Sequence, residues 1–147
     1  MCLLDSFQVT FTLHHVGVLV PDLAQATATQ KESFGYLAAS DIIHDPTQTA
    51  YAQFLRLPGS PIFLELITPD GPQSKIANAL GKGGGLHHIC YATTGIEQAC
   101  EDLRAKGSFV IQRPVPAVAF PGRRIAWLMQ PDKTLVELVE KGRDGEL

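Results

Sequence analysis

LHHVG, from Leu13 to Gly17, is written again almost unchanged as LHHIC, from Leu86 to Cys90. The second copy begins at position 86 against position 13, an offset of 73 in a chain of 147 residues. At this offset the agreement runs on, with Leu23 falling on Ile96 and Gln25-Ala26 on Gln98-Ala99. A second landmark keeps nearly the same spacing: FLELI, from Phe63 to Ile67, has its counterpart in LVELV, from Leu135 to Val139, so that Glu65 and Glu137 stand 72 apart. Self-similarity at a fixed period points to a duplicated structural unit.

Each half repeats one order of elements. The β-branched, apolar run from Thr12 to Val20 predicts a strand, and DLAQATATQKESFG after it predicts a helix opened by an Asp22 cap. YAQFLRL (Tyr51 to Leu57) and IFLELI (Ile62 to Ile67), joined by Pro58-Gly59-Ser60-Pro61, predict a hairpin. In the second half HHICYAT reads as a strand, IEQACEDLRAKG as an amphipathic helix ending at Gly107, and FVIQR, RRIAWLM and TLVELVE as strands. Between the halves SKIANALGKGGG, from Ser74 to Gly85, reads as a short helix running into a glycine-rich link. The expectation is one α+β domain over residues 1–147, made of two tandem βαβββ modules. Module 1 covers about 12–70 and module 2 about 86–141, with the linker helix and glycine-rich link at 71–85. Their sheets should curl into one curved mixed sheet around a metal-binding cleft.

Composition removes several classes of partner. With 12 Lys and Arg against 15 Asp and Glu, the chain has no basic field to hold nucleic acid or an anionic membrane. Three cysteines, Cys2, Cys90 and Cys100, form no CxxC pair and suit reduced thiols in a reducing compartment. Asp5 and the absence of Lys or Arg ahead of the first apolar residues speak against a secretory signal, and no apolar run approaches the roughly 20 residues that span a bilayer. A cytoplasmic protein is expected, with neither nucleic acid nor membrane as partner.

The repeated His and Glu residues carry the chemistry. His15 precedes Glu65 by 50 residues and His88 precedes Glu137 by 49. Two imidazoles and two carboxylates converging on one point make a site for a divalent cation such as Co, Zn, Ni, Mn or Fe. Four protein ligands around an octahedral ion leave two adjacent positions for waters or a bidentate substrate. Side chains alternate along a strand, so adjacent histidines are expected on opposite faces, and periodicity alone does not say which of each pair faces the cleft.

These motifs resemble the vicinal oxygen chelate superfamily, which includes glyoxalase I, extradiol dioxygenases and bleomycin resistance proteins. Within it they are most similar to the methylmalonyl-CoA epimerases: LHHVGVLVPDL, SKIANALGKGGGLHHIC and LVELVEK match their module starts, glycine-rich link and last strand, across roughly residues 12–141. The resemblance implies one divalent metal per site, held by His15, Glu65, His88 and Glu137, with His14 and His87 facing away. It implies a small-molecule substrate, such as a CoA thioester, that chelates the metal and epimerises through an enolate, and a homodimeric assembly. Glu137 would serve as one proton-transfer group. The other falls by approximate alignment within YAQFLRL, where no acidic residue stands between Asp45 and Glu65 and Gln53 is nearest. An amide is not a useful base. Two other functions fit the same motifs: a glyoxalase I-type lyase acting on a hemithioacetal, and a non-catalytic protein that sequesters a small molecule. QPDKT (Gln130 to Thr134) in place of a DPDG-type turn disfavours the first, and the complete donor quartet disfavours the second. An extradiol dioxygenase is disfavoured because Glu65 would fill an oxygen-binding position.

Arg123, Arg124 and Tyr51 are the candidate substrate contacts, with Lys75 and Lys82 beside the linker as further cations for an anionic carrier. Trp127 and Cys90 read as packing residues, and His44 as a surface residue.

Overall fold

The structure is a computed structural model that describes residues 8–144, 146 and 147; Cys2 and Asp5 lie outside the described residues. The first module runs β1 (Phe11–Leu19), α1 (Leu23–Phe34), β2 (Leu37–Ala38), β3 (Ile43–Asp45), β4 (Ala50–Arg56) and β5 (Phe63–Pro69). A single turn of helix, α2 (Ala77–Gly81), leads to the second module: β6 (Gly85–Thr93), α3 (Ile96–Ala105), β7 (Phe109–Pro116), β8 (Arg124–Met129) and β9 (Leu135–Glu140).

All strands belong to one sheet, in the order β2-β4-β5-β1-β6-β9-β8-β7, with β3 also paired to β4. In each half the first strand pairs parallel with the last, β1 with β5 and β6 with β9, and the last pairs antiparallel with the one before it. The halves meet through their first strands, β1 antiparallel to β6. This is the duplicated arrangement that the offset predicts, an α+β fold with an open, curved sheet.

One difference lies in the first module, where the expected second strand is split in two. Ser40 occupies the break, and its side chain substitutes for the missing ladder. Its hydroxyl accepts the Phe54 N–H at 3.0 Å, while Gln53 Nε2 donates to the Ser40 carbonyl at 3.1 Å. Helix α1 follows its sequence signals: Asp22 accepts the Gln25 N–H at 3.0 Å, and Gly35 closes the helix in the left-handed region at φ 80°. The two modules carry separate apolar cores behind the sheet. Leu23, Leu55 and Leu66 pack under α1, and Ile96, Ala99, Cys100, Leu128 and Leu138 under α3. Among the described residues no helix is long and apolar enough to cross a membrane.

Candidate metal centre

Because β1 and β6 are the middle strands and β5 and β9 flank them, one His and one Glu from each half reach the same point on the concave face. His15, Glu65, His88 and Glu137 are all buried. His15 Nε2 stands 3.1 Å from His88 Nε2, 3.4 Å from Glu65 Oε2 and 3.1 Å from Glu137 Oε1. His88 Nε2 stands 3.7 Å from an oxygen of each carboxylate. Donor separations of this size suit ligand edges around a single ion about 2.0–2.2 Å from each donor.

The electrostatics also call for a cation. Burial raises the Glu65 carboxyl to about 7 against the pull of His15, and Glu137 and Asp45 push the same way. Burial works against protonation of His15, but Glu65 and Glu137 prevail and raise its affinity for a proton. His88, buried beside His15 and His87, is held neutral well below the ordinary imidazole range. Glu137 Oε1 is fully enclosed and, although 3.1 Å from His15 Nε2, lacks hydrogen-bond geometry to any described group. A divalent ion satisfies all of these donors at once, so the residues present fit the metal implied by the motifs.

A glycine makes room for it. Gly17 lies opposite His88 across the β1–β6 seam. A β-carbon there would overlap the His88 ring, 2.7 Å from Nε2 and closer still to Cε1 and Nδ1. At the equivalent place in the other half Cys90 lies opposite His15, buried, with a thiol pushed well up by burial and by Glu137. It is a packing residue, as the sequence suggests.

Alternation does not hold at the HH pairs. His14 and His87 do not face away: each bonds its ligand neighbour, His14 Nδ1 to His15 Nδ1 at 2.7 Å and His87 Nδ1 to His88 Nδ1 at 2.7 Å. The reason is a bulge in each strand. The ladder skips His14 between the Leu13–Tyr91 and His15–Cys90 pairs, and skips His87 between Gly17–His88 and Val18–Leu86. An extra unpaired residue turns neighbouring side chains toward one side.

A cavity of about 480 Å³ opens at the quartet, and Glu65, Glu137, His87, His88 and Trp127 line it. Trp127 meets His88 edge-on at 4.9 Å, and its enclosed indole N–H has no partner among the described residues. Asp45 at the end of β3, Gln48 in the β3–β4 turn and Lys75 in the linker also reach the cavity. That turn is strained at Thr49, a β-branched residue at φ 57°. Ser74 ties it down, its hydroxyl donating to the Thr49 carbonyl at 2.6 Å while the Lys75 N–H bonds the Thr49 hydroxyl at 2.8 Å.

The other candidate contacts fall elsewhere. Gln53 is turned to α1 and the Ser40 loop, accepting from Thr27 Oγ1 at 3.1 Å. Tyr51 stacks on His44 at the surface, beside the His44–Asp70 contact of 3.0 Å. Arg124 is committed to Glu140 at 3.1 Å and to Glu97 of α3, because Ile125 takes the cavity side of β8. Arg123 lies over Phe120 at 5.0 Å and donates to the Leu147 carbonyl. None of these four side chains lines the cavity. Arg124→Gln is therefore expected to leave stability in denaturant titration nearly unchanged, as for an exposed ion pair, and to leave metal binding by the quartet unchanged.

The fold and this donor set define a class, and the chain belongs to the glyoxalase/bleomycin resistance/dioxygenase superfamily, whose family model matches residues 14–127. Within it the chain is similar to the ethylmalonyl-CoA/methylmalonyl-CoA epimerase of Cereibacter sphaeroides, 34% identical over 130 residues that cover 86% of this chain and 95% of that protein. Methylmalonyl-CoA epimerase from Mycobacterium tuberculosis matches in structure with a TM-score of 0.78 at 26% identity, covering 89% of this chain and 88% of that one. A variant of the Streptomyces coelicolor methylmalonyl-CoA epimerase, in complex with 2-nitronate-propionyl-CoA, matches with a TM-score of 0.76 at 25% identity, covering 89% of this chain and 97% of that one.

Proposed function

We propose that this chain is a metal-dependent epimerase of an alkylmalonyl-CoA-type thioester, working through an enolate. The observation that carries the reading is the buried quartet of His15, Glu65, His88 and Glu137 at the floor of a cavity that holds further carboxylate and amide groups. The similarity to epimerases over nearly the whole chain supports it. A divalent ion bound by the quartet supplies Lewis-acid stabilisation of the charge that develops on the substrate oxygens.

The chain's own residues supply the rest. Epimerisation needs a proton-transfer group on each face of the substrate carbon. Glu137, from module 2, serves one face. The opposing group comes from module 1, and Asp45 replaces Gln53 in that role. Asp45 Oδ1 accepts the N–H groups of Thr47 and Gln48, both at 3.0 Å, which fixes the carboxylate at the wall of the cavity. Gln48 beside it can donate a hydrogen bond to the substrate but not take its proton. Ile43, Ile67, Ile111 and Ile125 make the walls apolar and keep water from the enolate.

Incubation with cobalt and racemic methylmalonyl-CoA in D2O, followed by NMR of the α-proton against a metal-free control, tests the reading. Metal-dependent washout is expected; bound metal without washout would move the assignment to other chelating substrates, beginning with hemithioacetals. Asp45→Asn is expected to slow epimerisation by about 10²–10⁴-fold, the range of a lost acid–base group, while exchange from one epimer survives. Equal exchange loss from both epimers would remove Asp45 from this role.

A further inference from the structure

We propose that His14 and His87 are positioning residues that hold the rings of His15 and His88 in the tautomer that presents a lone pair at Nε2. The inference rests on the metal reading above. The two bulges occur at equivalent places, 14 and 87, and each brings a histidine beside a ligand histidine instead of onto the other face. Both pairs have the same geometry: Nδ1 to Nδ1 at 2.7 Å, ring centroids 5.0 Å apart, and interplanar angles of 79° and 89°.

A neutral imidazole carries one N–H and one lone pair. For Nε2 of His15 to bind an ion, its hydrogen must sit on Nδ1, and the atom at 2.7 Å must accept it. His14 can accept at Nδ1 only if its own hydrogen is on Nε2. The same holds for His87 beside His88. Packing fixes the acceptor rings. His14 lies against Phe63 and Phe120, with centroids at 5.2 and 5.3 Å, and His87 against Trp127 at 6.3 Å. Accepting that hydrogen makes the ligand imidazole a better donor to the metal, the role that a carboxylate or carbonyl fills at many histidine metal sites.

Cobalt titration in competition with a chelator, without substrate, tests this. Asn in place of His14 or His87 keeps an oxygen acceptor near the Nδ1 position, whereas Leu keeps bulk and removes the acceptor. His14→Leu and His87→Leu are each expected to weaken cobalt binding by about 10–100-fold, with His14→Asn and His87→Asn restoring most of it. Leu variants that bind as tightly as the parent, or Asn variants that lose as much as Leu, would overturn the inference. A parent chain that binds no cobalt would overturn the metal reading, and this inference with it. Nitrogen-15 NMR of the zinc-loaded parent gives an answer that needs no variant. His15 and His88 should carry their hydrogen on Nδ1, with His14 and His87 carrying theirs on Nε2; the reverse assignment would overturn the proposal.

Discussion

Gly17→Ala should weaken cobalt binding by more than about 100-fold, above the range usual for residues that only support a ligand, while leaving the chain folded. The backbone at Gly17 lies outside the left-handed region, so an added methyl group creates no conformational strain there. Its cost is collision. The new carbon would occupy the volume of the His88 ring, and β6 cannot retreat because it is hydrogen-bonded to both β1 and β9. The ring must swing out, and one of four donors leaves the ion. Overpacking of this kind costs about 1–3 kcal/mol of stability, visible as a lowered melting temperature of the metal-free protein. Gly71→Ala is the control for metal affinity, since Gly71 has open space around it and, like Gly17, lies outside the left-handed region. Cobalt binding by Gly17→Ala within tenfold of the parent would mean that His88 does not hold the ion.

The second large effect is the coupling of metal, pH and stability. Glu65 stays protonated up to about pH 7 in the metal-free protein, because burial penalises its charge more than His15 relieves it. An ion must displace that proton, and one on His15, whose proton affinity is also raised, so cobalt affinity should fall at least about tenfold for each pH unit below 7. Stability of the metal-free chain has the opposite sign. The folded value lies above the ordinary 4.5, so protonation of Glu65 favours the folded state. That contribution is complete below pH 4.5 and lost as the pH rises through 7. Metal-free protein should thus lose stability from this group between pH 5 and 8. Cobalt at a thousand times its Kd should add about 4.1 kcal/mol, or roughly 8–16 °C in melting temperature for a chain of this size. Calorimetry at pH 6 and pH 8, with and without chelator, reads all of these; a cobalt shift of the same size at subsaturating metal and both pH values would remove Glu65 from the ligand set.

The duplicated fold and the meeting of one His and one Glu from each half were legible in period and spacing, while the choice of His15 and His88 within the HH pairs came from the resemblance. An offset of 73 with His and Glu repeated in each half already implies paired strands brought to a common point. The HH pairs were misread in part because alternation assumes an unbroken ladder, and a bulge leaves no composition signal in LHHVG or LHHIC. Gly17 was available as a clue, since glycine inside a strand marks close approach of another group. The substrate contacts were the least legible. Basic character pointed to Arg123 and Arg124, but their side chains are engaged by Phe120, Leu147, Glu97 and Glu140, partners set by tertiary structure alone. Asp45, the group proposed above for the second face, was missed because approximate alignment placed the base in β4, while the carboxylate that lines the cavity stands at the end of β3.

The antiparallel seam between β1 and β6 has an evolutionary corollary. Each half carries two of the four proposed donors, so a lone half would chelate an ion only weakly, whereas a pair of halves supplies all four and leaves positions open for substrate. Two identical halves would be bound by their symmetry to offer the same groups to both sides of a planar intermediate. Once joined in one polypeptide, they are free to drift apart, as Gly17 and Cys90 have done at matching positions. One half can then specialise in a proton donor that its twin lacks, while an ion shared by both halves would keep selection acting on each.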